Sequence, residues 1–305
     1  MPLLDAITAF VRVAELGSYT RAAEALELSR TRVSRLVMQL EAHLEVRLIQ
    51  RTTRRLHLTE AGERYLARAQ GILQALQEAE AEVGAGRLEV RGRLRLNGPM
   101  SFGTRHLAPQ VTRFMVEHPD LEVRLDLNDR RVDLLEEGYD LAIRIGALPD
   151  SSLVARRLTR CRLLLCASPG YLAAHGEPES LEALAGHRCL RYRTGGGTEW
   201  QLGGRRLAVQ GPLDSNNGDV LTQAAEAGLG IVHQPSFLVA ESIRRGRLVP
   251  ILTDEAPVTL GIHGVFPARR HLPAKIERFL DFLAAAWGDP PTWERELSLS
   301  PFTQQ

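Results

Sequence analysis

The chain has 305 residues, more than one typical hydrophobic core serves, so two or three domains are expected. Apolar residues make up 44% and charged residues 25%, ordinary values for a globular protein, and a net charge of +1 excludes a global basic field. Three irregularly spaced cysteines exclude a disulfide framework or zinc site, no run approaches 18 apolar residues, and the N-terminus lacks the pattern of a secretion signal, so a reducing cytosol is expected.

Leu3, Leu4, Ile7, Phe10, Val11 and Ala14 recur at helical spacing, and Gly17 stands where a helix-ending glycine belongs. Thr20 is placed to cap a second helix that buries Ala22, Ala23 and Leu26. Ser29 is a good cap for a third, whose buried stripe is Val33, Leu36, Val37 and Leu40. Arg51-Thr52-Thr53-Arg54-Arg55 and Leu56-His57-Leu58 read as a two-stranded wing. Between Ser29 and Leu58, seven arginines stand against Glu41 and Glu45, a local basic field that the whole-chain balance hides.

Two helices meeting at a tight turn, with a basic wing after them, place the third helix in a DNA major groove. Arg30, Arg32 and Arg35 have the reach for guanine O6 and N7. Arg30 or Arg32, on the first turn, is assigned to a base and Arg35 to the backbone. Ser29 and Ser34 suit phosphate oxygens, and Thr31 can offer its methyl to a thymine. Arg51, Thr53 and Arg54 on the wing suit phosphates or the minor groove.

Thr59 caps a helix that runs to about Val83. Leu66, Ala69, Leu73, Leu76 and Val83 fall near heptad positions, with Glu80 the polar exception. That thin seam suits a helix pairing with its own copy; it also suits one lying on its own domain. Gly84 and Gly86 open a linker.

From Arg93 strands alternate with helices. Strands are expected at Leu94–Asn97, Leu121–Leu127, Asp140–Gly146, Cys161–Ser168, Gly228–His233 and Thr259–Phe266. Helices fit 103–117, 179–185, 218–227, 236–245 and 273–287. This alternation implies parallel sheets covered on both faces. Cys161 and Cys166, an odd five apart on one strand, should face opposite ways, which argues against a redox pair. The last 18 residues hold three prolines and little periodicity, so a loose tail is expected. No G-x-S-x-G elbow, P-loop or zinc motif is present, so a non-enzyme without a cofactor is expected.

Taken together, Phe10-Val11, Gly17-Ser18-Tyr19-Thr20-Arg21-Ala22-Ala23, Leu28-Ser29, Val33-Ser34, Leu40-Glu41, Leu48, Arg51-Thr52-Thr53-Arg54 and Leu58-Thr59-Glu60-Ala61-Gly62 resemble the LysR-type transcriptional regulators. Asp140-Leu141-Ala142-Ile143-Arg144, Ala227-Gly228-Leu229-Gly230-Ile231 and Phe279-Leu280-Asp281-Phe282-Leu283 agree more loosely. One departure stands out: Arg30 and Arg32 occupy a turn where many members carry a Gln-Pro-Ala-type segment.

The resemblance implies an α+β multidomain chain. An N-terminal all-α winged helix-turn-helix (1–59) and a linker helix for dimerisation (60–87) come first. A two-lobed α/β effector domain follows, built like a periplasmic binding protein. Its first lobe is 91–161 with 268–290, its second 162–267, and 291–305 is the loose tail. The implied partners are double-stranded operator DNA, a small-molecule effector, further copies of the chain as a homodimer or homotetramer, and RNA polymerase, with no membrane. By analogy the lobe crossings lie near Cys161–Arg162 and Val265–Pro267.

A cleft between such lobes would hold the effector. One wall is Pro99-Met100-Ser101-Phe102 and the facing wall Ser215-Asn216-Asn217-Gly218, two helix starts with free N–H groups suited to a carboxylate. Arg144 and Gly146 close a third side, and His233-Gln234 a fourth. Bland readings stand beside these: Met100 and Phe102 as core, Arg144 paired with Asp140 or Asp150, His233 as a hydrogen-bonded structural histidine. As rivals to effector-controlled regulation, a solute-binding protein would share only the C-terminal half, and an architectural DNA-binding protein would have a cleft filled by its own side chains.

Overall fold

The computed structural model describes residues 3–51, 56–84, 90–130, 132–148, 152–193, 199–202, 204–253, 258–268, 272–295 and 297. The chain forms two compact units, one made almost wholly of Met1–Glu89 and the other beginning at Val90.

The first unit opens with α1 (Leu3–Leu16), α2 (Tyr19–Ala25) and α3 (Arg30–Leu44). Ser18, not Thr20, caps α2: its side chain accepts from the Arg21 N–H. Thr20 is exposed and lies two positions past the cap, already inside α2. Ser29 caps α3 as expected, through the Arg32 N–H at 3.2 Å. Antiparallel β1 (Ile49–Arg51) and β2 (Leu56–Leu58) form the ribbon of the wing, so the unit is not purely helical. Then α4 (Glu60–Gly84) begins, its first turn held by the Gly62 N–H on Thr59 Oγ1 at 3.0 Å.

Phe10, Val13, Ala22, Val33, Val37, Leu40 and Leu48 form this unit's core. Ala69 is buried in the same core, with Leu66 and Leu73 packed against it. Those heptad-spaced residues therefore pack on their own unit, Leu66 and Leu73 only in part. Ile72, 53% exposed, lies off that stripe.

The second unit starts with β3 (Gly92–Gly98) and α5 (Met100–Phe102), which continues as a π-helical turn at Gly103–Leu107 into α6 (Ala108–Glu117). After these come β4 (Leu121–Leu127), β5 (Leu141–Ile145), the long β6 (Leu153–Ala167) and α7 (Pro169–His175). Residues Glu182–Gly186 are a 3-10 turn rather than the expected α-helix. Next are β7 (Cys189–Tyr192), β8 (Glu199–Leu202), β9 (Arg205–Ala208), β10 (Asp214–Ser215) and α8 (Gly218–Glu226). The unit closes with β11 (Ile231–Pro235), α9 (Ser236–Arg244), β12 (Val249–Pro250), β13 (Thr259–Pro267) and α10 (Ala274–Trp287).

The main sheet is mixed, not parallel. β3 runs parallel to β4 and β5, and β7 parallel to β10 and β11. The long strands β6 and β13 are antiparallel to each other and to their neighbours. β6 explains how one sheet serves two halves. Its residues 153–162 pair with β13, and 163–167 pair with β11 and β12. The switch falls at Arg162–Leu163, beside the expected first crossing. β13 pairs with β6 and β5 over its whole length, so the return crossing lies near Val258, not at Val265–Pro267.

The C-terminal stretch is not loose as far as it is described. Trp293, Glu294 and Leu297 are buried, and a 3-10 turn spans Thr292–Glu294. Periodicity misses such a segment because three docked residues make no repeat. The rest of the expected tail lies outside the described residues.

Candidate DNA-binding and effector sites

The α2–α3 turn is made by Glu27 in the left-handed region (φ 53°) and closed by the Leu28 N–H on Ala23 O at 2.9 Å. Val33, Leu36, Val37 and Leu40 bury one face of α3. That face fixes its roll and leaves Ser29, Arg30, Thr31, Arg32 and Arg35 exposed, with Ser34 half-buried. Ser29 Oγ is already spent as a cap acceptor, so only its O–H remains for a phosphate. Beyond α3, one carboxylate oxygen of Glu41 accepts the N–H groups of Leu48 (2.9 Å) and Ile49 (3.0 Å), tying the ribbon to the helix. Arg51 has its backbone in β1, whereas its side chain, Thr53 and Arg54 lie outside the described residues. Arg47 and His57 are further exposed basic groups on this side of the sequence that the motif did not single out.

Gly62 was legible only as part of a motif. An added Cβ there would lie 2.1 Å from the Leu48 carbonyl oxygen. The Thr59 N–H bonds that same oxygen at 3.0 Å. The start of α4 therefore sits directly on the backbone leading into the wing.

In the second unit, Ser101 Oγ lies 3.5 Å from Asn217 Oδ1, bringing together two of the expected walls. Asn217 Oδ1 also caps α8 through the Asp219 (2.8 Å) and Val220 (3.4 Å) N–H groups. Beside it, Arg105 pairs with Asp219 at 2.6 Å. Asn216 is exposed. Gly218 sits tight against Leu238 and Gln234 Oε1; Gln234 is 1% exposed, and its Nε2 has no hydrogen-bond partner among the described residues.

Other expectations change. Phe102 is fully buried between Phe237, Trp287 and Trp293, so it is core rather than cleft wall. The Met100 N–H is not free for a ligand: Asp129 Oδ1 accepts it at 3.1 Å, while the Met100 side chain is 38% exposed. Arg144 donates to Asn97 Oδ1 at 2.7 Å, and Gly146 takes a positive φ of 98° at the end of β5. Asp140 accepts the Arg95 N–H; Asp150 lies outside the described residues. Sequence reasoning missed Asn97, Asp129 and Tyr192. Burial pushes the Tyr192 hydroxyl well above the usual phenol range, helped by the charge of Asp129 and a hydrogen bond to it.

His233 faces away from Gln234, on the other side of β11. Its partner across β11–β6 is Leu165, which belongs to the core that holds Trp200, whereas Gln234 pairs with Leu164 of the other core. The His233 ring meets Trp200 at 5.7 Å, and its buried Nε2 has no partner among the described residues. Burial pushes its pKa down to about 4, so it is neutral at pH 7.

Cys161 and Cys166 are both buried within one apolar core. Burial raises all three thiols, Cys161 and Cys189 to about 12, which keeps them protonated and unreactive. Among the described residues no cluster of His, Cys, Asp and Glu could hold a metal ion, and no helix is long and apolar enough to cross a membrane.

Two family models cover most of the chain. Residues 4–63 match the bacterial regulatory helix-turn-helix protein of the lysR family, and residues 87–288 match the LysR substrate binding domain. The chain belongs to the LysR family of transcriptional regulators. It is 41% identical to an HTH-type transcriptional regulator of Haemophilus influenzae, over 90% of this chain and 98% of the relative. An HTH-type transcriptional repressor of Pseudomonas aeruginosa is 37% identical over 99% and 96%. The solved structure of CrgA, a LysR-type transcriptional regulator from Neisseria meningitidis, superposes with a TM-score of 0.60 at 36% identity, covering 92% of this chain and 97% of that one. This regulator thus couples a DNA-binding helix-turn-helix to an effector-binding α/β domain.

Proposed function

We propose that this LysR-family regulator reads a pseudo-palindromic operator through the first turns of α3, as a homodimer or homotetramer in the cytoplasm. An effector in the second unit alters its action on RNA polymerase. The observation that carries the reading is the exposed set Arg30, Thr31, Arg32 and Arg35 on a helix whose opposite face is locked into a core. Arg30 or Arg32 is assigned to a base edge and Arg35 to the phosphate backbone. Ser29, through its O–H, and Ser34 also serve phosphates, with Arg51, Thr53 and Arg54 on the wing.

Arg32→Ala is expected to cost about 1–3 kcal/mol of operator affinity and to relax preference at one base position. Arg35→Ala should weaken all sequences alike and lower the salt slope by about 1. Titrations against base-substituted operators at several salt concentrations check this. Identical profiles for the two variants would end the assignment.

For the effector, the support lies at the start of α8. Ser101, Asn217 and Gln234 converge there, and Gln234 buries an amide donor that lacks an acceptor among the described residues. A ligand presenting a carbonyl or carboxylate oxygen would satisfy it. Replacing an unpaired buried amide with an isosteric apolar group removes a desolvation cost of about 1–3 kcal/mol. Gln234→Leu is therefore expected to hold or raise the melting temperature without ligand, while abolishing the thermal shift that small carboxylates or amides give the native chain. A retained ligand shift in the variant would remove Gln234 from the site.

A further inference from the structure

The strand switch in β6 raises a hydrogen-bonding problem. At Leu163 the strand's N–H still bonds to Val258 O at 2.9 Å on the β13 side. On the other side β11 ends at Pro235, and the chain turns into α9 at Ser236. The Arg162 N–H, which points there, is left without a strand partner. A buried amide in that position must find another acceptor.

It finds Glu294. Glu294 Oε1 accepts the Arg162 N–H at 3.1 Å and the Ser236 hydroxyl at 2.6 Å, and Oε2 accepts Arg162 Nε at 3.0 Å. Ser236 Oγ shares the Arg162 N–H at 3.2 Å. Glu294 is 7% exposed. A carboxylate so far from water persists only when its charge is matched and its lone pairs are used, which this arrangement achieves.

The segment around Glu294 touches both halves of the sheet. Before it, Thr159 Oγ1 donates to Gly288 O at 2.6 Å and Arg160 pairs with Asp289 at 2.9 Å, both on the β13-paired part of β6. Trp293 packs against Phe102 and His106 from the α5–α6 side and against Phe237 of α9. Charge-assisted bonds and aromatic packing thus meet where β6 passes between half-sheets.

We infer that residues 288–295 form a C-terminal strap that fixes the angle between the two halves of the effector unit, with Glu294 as its fastening. The strap makes hinge rigidity a property of the C-terminal segment rather than of the crossing strands alone. Opening or closing of the halves must then work against the Glu294–Arg162–Ser236 contacts.

Amide hydrogen exchange on the full chain tests this, in native protein and in Glu294→Ala and Glu294→Gln. Both sides of the junction, residues 159–164 and 235–239, should exchange about tenfold faster or more in Glu294→Ala. Glu294→Gln, which keeps an acceptor but not the charge, should fall between. Residues 141–145 and 221–226, inside the two halves, should be unchanged. Equal acceleration throughout the unit would show a general packing role and overturn the strap, as would unchanged exchange at the junction in both variants. If Glu294→Ala does not fold, the glutamine variant carries the same comparison.

Discussion

Gly62→Ala is expected to destabilise the DNA-binding unit by about 3 kcal/mol and to abolish operator binding at physiological salt, while leaving the effector unit intact. The added methyl would meet the Leu48 carbonyl oxygen at 2.1 Å. That neighbour is backbone, so no rotamer change relieves the clash. It also accepts the Thr59 N–H, and Leu48 and Ile49 donate to Glu41 from α3. Moving Leu48 therefore disturbs the wing, the cap of α4 and the end of α3 together. The two units can be followed separately. Trp200, Trp287 and Trp293, the only tryptophans, all lie beyond Val90, so their fluorescence reports the effector unit. The helical signal lost before the tryptophan transition reports the first. Native-like operator affinity in Gly62→Ala would show that α4 and the wing are not coupled in this way.

Acid should weaken the effector unit through His233. Its folded pKa of about 4 lies below the unfolded value of 6.5. The unfolded chain therefore binds a proton that the folded chain refuses. Stability from this group is complete above about pH 6.5 and is lost as pH falls toward 4. With about 1.36 kcal/mol per pKa unit, the loss approaches 3 kcal/mol. His106, also lowered mainly by burial, adds in the same direction. Urea unfolding followed by tryptophan fluorescence at pH 7 and pH 4 should show this loss in the native chain and a much smaller one in His233→Gln. Equal pH dependence in both would mean that the ring reaches water or a partner when protonated. A pH response of the cleft centred near neutrality is not expected from this residue.

The DNA-binding half was legible because its signals are local. A capping serine, a stripe at 3.6 spacing and a glycine after α1 act within a few residues of one another, and they alone roll Arg30, Thr31, Arg32 and Arg35 outward. Where the signal was ambiguous, the error was correspondingly small: Ser18 and Thr20 are both competent caps, and only backbone geometry selects Ser18. The linker helix shows a harder limit. Leu66, Ala69 and Leu73 carry a spacing that suits a partner helix or the home core equally, and in the structure the home core buries Ala69 fully but Leu66 and Leu73 only in part.

The effector half was legible as an α/β alternation but not residue by residue. His233 and Gln234 are adjacent on a strand buried on both faces, so no polar–apolar alternation says which side chain faces the cleft. Phe102 follows the expected wall residues in sequence yet turns into the core, because three aromatic rings gather there from distant segments, beside the neighbouring His106.

What the sequence by itself determined was the family, the order of parts and the DNA-reading face, since each depends on contacts between near neighbours along the chain. Tertiary structure decided which side of β11 each residue occupies, which donors at the α5 and α8 starts are already taken, and that Glu294 serves Arg162 from 132 residues away. Those outcomes rest on satisfying buried polar groups across long loops, and a buried donor accepts any partner that the fold brings to it.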